Sequence, residues 1–389
     1  MSIDSPMIYL DNNATTQIDP QVCQKMSLFL EHQFGNPSSL YPIGREAKES
    51  INQARENIAD GLGAERSEII FTASGTESDN FAIRGVMEAF PEKDEFVTSA
   101  IEHPAVIETA NYLKKLGKKV SFVPVDKYGM IDLDRFQEKV TSKTALVSIM
   151  HANNEIGALQ PIEDIVRIAK NKEALVHTDA VQTFGKIEFD VHKLGVDLLS
   201  ISGHKIYGPK GVGALFVKKG TPLLPLIHGG HQEGKMRAGT ENTAGIVGFG
   251  EAAKIATDRL KKDKKRLYKL ADQLKKGIES SVPDIKFNGP EEERIKTTLN
   301  FSFLRLEAEA VLLALATKGI YVSTGSACSE DSDDVSHVLT AIGLSPEQAR
   351  SSLRFSIGRF NTEEDIKTVL KELPEIIDNL RKISSGLED

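Results

Sequence analysis

The stretch ALVHTDAVQTFGKIEFDVHKLGVDLLSISGHK, residues 174–205, decides how this chain folds. It holds two short apolar runs, ALVH at 174–177 and DLLSI at 197–201, and each runs straight into a polar cluster, HTDAVQ and SGHK. Short apolar runs bounded by polar turns read as buried strands. Working outward, the same signature recurs at 68–72 (EIIFT), 95–99 (EFVTS), 120–123, 145–150 (ALVSIM) and 211–217 (GVGALFV). Helical periodicity fills most of the gaps, as at 77–90 and 162–170. Strand–helix alternation of this kind predicts an α/β fold with a mainly parallel sheet covered on both faces. Ligands in such sheets bind at the carboxyl ends of the strands.

The pattern changes near Ile255. Ile255, Leu260, Leu267, Leu270, Leu274 and Ile278 recur at helical spacing with lysines on the other face, and Pro283 ends the run. This predicts a long amphipathic helix with a solvated basic face. A strand follows at 298–303, a helix at 307–317, a strand at 353–357 (LRFSI), and a last helix capped by Asn361 or Thr362 and running through Leu380. The expected organisation is a large domain over 15–258 and a smaller α+β domain built from 1–14 and 259–389.

Composition excludes several classes. The 389 residues are 40% apolar and 27% charged, as in ordinary globular proteins. A net charge of −8 argues against nucleic acid or an anionic membrane as the main partner. No stretch approaches the ~20 apolar residues that span a bilayer. The N-terminus, with Asp4 and Pro6, lacks the basic start and apolar run of a secretory signal. Two distant cysteines, Cys23 and Cys328, give no disulfide framework, so a reducing cytoplasm is expected. Cys23, in the pattern Val22, Met26, Phe29, Leu30, reads as packing.

Three clusters carry chemistry. Lys205 follows a buried strand and precedes a glycine-rich turn; there it is either a Schiff-base lysine or a surface lysine beside a turn. Asp179 ends a strand one strand–helix unit earlier; it is either a helix N-cap or a carboxylate able to hold a pyridinium nitrogen protonated. Ala73-Ser74-Gly75-Thr76-Glu77-Ser78 joins the strand EIIFT to a helix, whose N-terminal amides can seat a phosphate. A phosphate seat, a ring-nitrogen carboxylate and a strand-end lysine are together the parts that pyridoxal phosphate needs.

With these in place, the chain resembles the fold-type I pyridoxal-phosphate enzymes, and among them the cysteine desulfurases of the NifS and IscS type. The resemblance rests on YLDNNATT (9–16), GNPSSL (35–40), FTASGTESDN (71–80), EHP (102–104), HANNEIG (151–157), HTDAVQ (177–182), SGHKIYGPKGVG (202–213), RAGTEN (237–242), GSAC (325–328) and SLRFSIGR (352–359). NifS is the closer variant, through DNNATT and GGHQE at 229–233.

The resemblance implies a set of roles. Lys205 would carry the cofactor, Asp179 hold the pyridinium nitrogen and Gln182 reach the phenolic oxygen. His103 would stack on the ring and move protons. Gly75, Thr76, Ser202 and His204 would hold the phosphate, with Thr240 reaching in from the second subunit of a homodimer. Asn154 and Arg354 would hold the substrate, L-cysteine, the guanidinium taking its carboxylate in two-pronged fashion. Cys328, in a loop of small residues, would take the sulfur as a persulfide and pass it to an iron–sulfur scaffold or another sulfur-acceptor protein, for cluster assembly or tRNA thiolation. No metal ligand set is implied, a transient iron–sulfur contact at Cys328 aside. The alternatives are a selenocysteine lyase or other β-lyase, and a non-catalytic sulfur-carrier or assembly subunit.

Three departures stand out. Tyr41 replaces a histidine after GNPSSL, Gly234-Lys235 replaces an Arg-Gly pair, and Cys328 is followed by an acidic run at 330–334. Those carboxylates should oppose formation of a nearby thiolate.

Overall fold

Most of the apolar runs become strands buried on both faces, because helices cover the sheet on each side; the edge strand Lys119–Val123 is only partly buried. The structure is a computed structural model that describes residues 7–324 and 335–385. Its main sheet has seven strands in the order Ile69–Thr72, Gly213–Val217, Leu198–Ser202, Leu175–Asp179, Thr144–Ser148, Glu95–Ser99, Lys119–Val123. Only Gly213–Val217 runs antiparallel to its neighbours. The expected mainly parallel sheet is therefore present, with each expected strand within two or three residues of its place. Gly213 pairs with both Thr72 and Ser202, which brings the carboxyl ends of two strands to one line.

One face of this sheet packs on the helices Gly75–Ala89 and Pro104–Lys115 through Phe81, Ile83, Val106 and Leu113. The other packs on Pro42–Leu62, Ile162–Lys170 and the start of the helix Thr243–Ser281. A separate apolar core joins the far end of that long helix to a three-stranded antiparallel sheet, in the order Ser352–Ser356, Thr298–Phe303, Ile285–Asn288. The short strand Ile8–Tyr9 pairs in parallel with Ile320–Tyr321 beside this core.

The long helix begins earlier than its periodicity predicts. It spans 39 residues, about 58 Å at 1.5 Å per residue, and Asn242 caps it by accepting from the Gly245 amide. Glycines at 245, 248 and 250 argue against helix in the sequence. Packing decides otherwise: a Cβ at Gly250 would lie 2.4 Å from the Ala54 Cα, so only glycine lets the two helices approach this closely. The last helix is Glu363–Ser385, and Thr362 caps it by accepting from the Asp365 amide at 3.2 Å.

Cys23 does not pack as expected; it is exposed on the helix Pro20–Glu31. Val22 and Phe29 define the inward stripe and Cys23 falls to its side, while Leu30 is 71% exposed. Cys328 and the acidic run at 330–334 lie outside the described residues.

The GGHQE segment is pinned by a buried carboxylate. Arg55 grips both Glu233 oxygens at 2.6 and 2.7 Å, and the Phe71 amide donates to the same group at 2.9 Å. The chain then passes through three successive positive φ angles, Glu233 at 45°, Gly234 at 63° and Lys235 at 70°. In the Arg-Gly pair of the family pattern the glycine falls at position 235, where the left-handed φ of 70° disfavours a side chain. Lys235→Gly should therefore raise the unfolding free energy by about 1 kcal/mol, read as a higher urea midpoint at unchanged m-value. An unchanged or lower midpoint contradicts this account.

Candidate active site

Asp179 and Ser202 end adjacent parallel strands, and Gly75 opens a helix just past Thr72. The shared register of Thr72, Gly213 and Ser202 sets these ends on one rim. The rim is the floor of a cavity of about 730 Å³. Gly75, Thr76, His103, Asn154, Asp179, Gln182, Ser202, His204, Lys205 and Arg354 all line it. Ten of the twelve residues singled out from the sequence therefore face one space. Thr240 does not line it and is exposed, and Cys328 is outside the described residues.

The Lys205 Nζ donates to the carbonyls of Asn13 and Ala14 at 2.6 and 2.8 Å. The Asn13 carbonyl also accepts from Gln182 Nε2 at 3.0 Å. Asp179 accepts from the Val181 amide at 2.8 Å, so it makes the cap-like turn and faces the cavity at once. Burial raises its carboxyl to about 6, against the lowering pull of the Val181 amide and the Lys205 charge.

His103 caps the helix Pro104–Lys115, its Nδ1 accepting from the Ala105 amide at 3.1 Å. An accepting Nδ1 leaves the proton of the neutral ring on Nε2. Burial, with Lys205 and His337 nearby, lowers this ring to about 4, so it is neutral at neutral pH. Burial and neighbouring lysines likewise lower His204 to about 4, and its Nδ1 lies 3.1 Å from Thr15 Oγ1.

Arg354 stands on the central residue of the strand Ser352–Ser356 and is 2% exposed. It pairs with Asp11 at 2.6 Å and donates to the Asn154 carbonyl at 3.1 Å. This sets a guanidinium, held by the smaller sheet, against the rim of the larger one. A preset cation in a cavity wall suits a small carboxylate ligand.

Pyridoxal phosphate fits this wall. Ser202 Oγ is buried without a hydrogen-bond partner among the described residues, so it is a donor awaiting an acceptor. A Cβ on Gly75 would come within 2.9 Å of Val181 and 3.5 Å of Ser202, which keeps the helix N-terminus bare for an anion. Asp179 and Lys205 bring a carboxylate and an amine to the same space, the two groups such a cofactor requires.

Asn13 and Asp79 also line the cavity, and Glu102 adjoins His103. Asn13, inside YLDNNATT, binds six groups around the site through its carbonyl, amide and side chain. Asp79 is buried in the wall, and burial with nearby Asp179 raises its carboxyl well above the usual range. Glu102, held by the Met150 amide at 2.9 Å and by Ser99 at 2.5 Å, is raised to about 8 by burial. Its carbonyl accepts from His337 Nε2 at 2.9 Å. Both stand inside segments that carry the resemblance, Asp79 in FTASGTESDN and Glu102 in EHP, and that was the signal available.

Residues 8–369 match the family model of the class-V aminotransferases. The chain is 49% identical to the cysteine desulfurase IscS of Dictyoglomus turgidum, over 97% of this chain and 96% of that protein. Among solved structures it resembles one described as a NifS-like protein, at TM-score 0.91 and 42% identity, covering 96% of this chain and all of the other. It also resembles SspA solved in complex with cysteine, at TM-score 0.81 and 37% identity, covering 91% of this chain and 100% of that one.

Beneath the cavity, His177 shares a strand face with Asp179. Its Nδ1 lies 2.8 Å from Ser148 Oγ and its Nε2 2.9 Å from Ser200 Oγ. Burial lowers this ring to about 3, well below its ordinary 6.5. A histidine with a lowered folded pKa contributes fully above pH 6.5 and loses that contribution as pH falls toward the folded value. The stability advantage of wild type over His177→Asn should therefore shrink by about 2 kcal/mol between pH 7 and pH 5. Urea unfolding of both proteins at the two pH values measures it, and a constant difference would contradict a neutral buried ring.

Proposed function

The chain belongs to the class-V aminotransferase family, and from that premise we propose that it is a pyridoxal-phosphate-dependent cysteine desulfurase. It converts L-cysteine to L-alanine and leaves the sulfur as a persulfide on Cys328. The observation that carries this reading is the convergence of Lys205, Asp179, His103 and Arg354 on one cavity.

The chain's own residues divide the work. Lys205 would hold the cofactor, with Asp179 at its ring nitrogen, Gln182 at its phenolic oxygen, and Gly75, Thr76, Ser202 and His204 at its phosphate. Bound there, the cofactor supplies an electron sink at the Cα of the substrate. Arg354, already braced by Asp11 and Asn154, binds the substrate carboxylate and fixes Cα near Lys205. Lys205 takes the Cα proton. His103, neutral with its proton on Nε2, can pass a proton at the substrate. The Cys328 thiolate attacks the substrate sulfur; the C–S bond breaks, an S–S bond forms, and Cβ gains a proton as alanine is released. The persulfide then moves to an acceptor protein, for iron–sulfur cluster assembly or tRNA thiolation.

The same reading includes a homodimer in the cytoplasm and a division into domains at 15–258 and at 1–14 with 259–389. Two separate apolar cores support the division. Exposure of Thr240, away from the cavity of its own chain, supports its serving a second subunit. Leu28, Leu30, Phe34 and Leu40 are 46%, 71%, 82% and 82% exposed, an apolar run that a second copy would cover. Among the described residues no helix is long and apolar enough to cross a membrane.

With L-cysteine and a reductant, the protein should form alanine and sulfide in equal amounts, and absence of alanine rejects the reading. Lys205→Ala should lose the visible absorption of the bound cofactor, whereas Cys328→Ala should keep it and fail to turn over cysteine. Preference of the wild type for selenocysteine over cysteine, left unchanged by Cys328→Ala, would point instead to a selenocysteine lyase. Mixed dimers of Lys205→Ala and Thr240→Ala subunits contain one intact site if Thr240 crosses the interface. They should recover activity that neither parent shows; no recovery places Thr240 outside the partner's site.

A further inference from the structure

Lys186 lies four residues beyond Gln182, partly buried behind the cavity wall. Its Nζ donates to Gln182 Oε1 at 2.7 Å and to Asn13 Oδ1 at 3.1 Å. The other end of the Gln182 amide, Nε2, donates to the Asn13 carbonyl at 3.0 Å. The two ends of a glutamine amide have nearly the same shape and differ in hydrogen-bonding sense. An ammonium can only donate and a carbonyl can only accept, so both neighbours enforce the same orientation. The amide nitrogen has two hydrogens; one goes to Asn13, and the second is left for a ligand in the cavity that Gln182 lines.

We propose that Lys186 is a positioning residue that locks the Gln182 amide with its N–H toward the cavity, making this wall specific for an anionic oxygen. The inference rests on the reading that the cavity holds pyridoxal phosphate, whose phenolic oxygen is that acceptor. A reversed amide would present a carbonyl oxygen to that oxygen, replacing a hydrogen bond by repulsion. Lys186 is well placed to prevent this, because its donors have two acceptors at hand and its charge has company that favours an anion nearby. Lys205, Arg354 and His204 are within electrostatic reach of it. On the far side, Asp263, Lys264 and Arg359 line a smaller cavity with it. Burial, then Lys205 and Arg354, lower Lys186 to about 7. An anionic oxygen bound through Gln182 would counter that crowding of cations.

The test follows the pH at which the visible band of the cofactor-loaded protein changes. Loss of the locked donor leaves the phenolic oxygen a better base, so Lys186→Met should raise this midpoint by about one unit, a ten-fold change in proton affinity. Lys186→Arg, which keeps the donor, should leave it within a few tenths. Gln182→Leu should shift it in the same direction, and adding Lys186→Met to Gln182→Leu should change it less than two-fold. An equal shift in both backgrounds means that Lys186 acts by charge alone and overturns the positioning role, as does an unchanged midpoint in Lys186→Met. A readout without cofactor separates this inference from the functional reading. In cofactor-free protein carrying 15N-glutamine, the Gln182 side-chain resonances, identified by their loss in Gln182→Leu, should move as Lys186 titrates near pH 7 and stop moving in Lys186→Met. A colourless protein in which they still do so rejects the cofactor and keeps the Lys186–Gln182 lock; resonances indifferent to Lys186 reject the lock.

Discussion

The main-chain carbonyl of Asn13 accepts from both Lys205 and Gln182, and much of the site depends on that one oxygen. It reaches the rim of the large sheet because the segment around it is held by the small one. The Asn13 amide donates to Ser356 Oγ, and its side chain donates to Thr298 Oγ1 and the Asn154 carbonyl. Asp11, two residues earlier, pairs with Arg354. Ser356, Thr298 and Arg354 all belong to the small antiparallel sheet. Lys205, beside the large sheet, and Arg354, on the small one, are thus set relative to each other by a short stretch of N-terminal chain.

A further link, Arg359 to Asp19, holds the bodies in register, and the long helix braces Arg359 from its own side. Arg359 reaches Asp19 at 3.1 Å and Asp263 at 3.0 Å, and all three are buried. Arg266, on the long helix, donates to the carbonyls of Arg359 and Asn361. Buried ion pairs of this kind add little net stability, but breaking one leaves an uncompensated charge, so they select one relative placement. For a reaction between groups on two bodies, that placement is what positions the reactants.

Burial also gives the site its protonation pattern. His103, His177 and His204 are pushed toward the neutral form, while Asp79 and Glu102 are pushed toward the protonated one. Around Lys205 this leaves few formal charges beyond Asp179, Arg354 and Lys186. A dry wall with few charges strengthens each one that remains.

The strands, the strand-end positions of Asp179 and Lys205 and the helix behind Gly75 were legible from residues 68–217, because period and polarity are local properties. The motif set was specific enough to bring ten residues to one cavity before any distance was known. Three things were legible only in the fold. The start of the long helix was hidden by glycines, of which Gly250 serves a close contact with Ala54, 196 residues away in sequence, and Gly248 one with Met26. The exposure of Cys23 depends on which stripe of its helix meets the body. The Lys205–Asn13–Gln182–Lys186 cluster joins residues up to 192 apart, and its centre is a backbone oxygen, that of Asn13, which carries no sequence signature. Sequence sets what each segment can be; the closing of sheet against sheet decides which polar groups meet, because hydrogen bonds reach only about 3 Å.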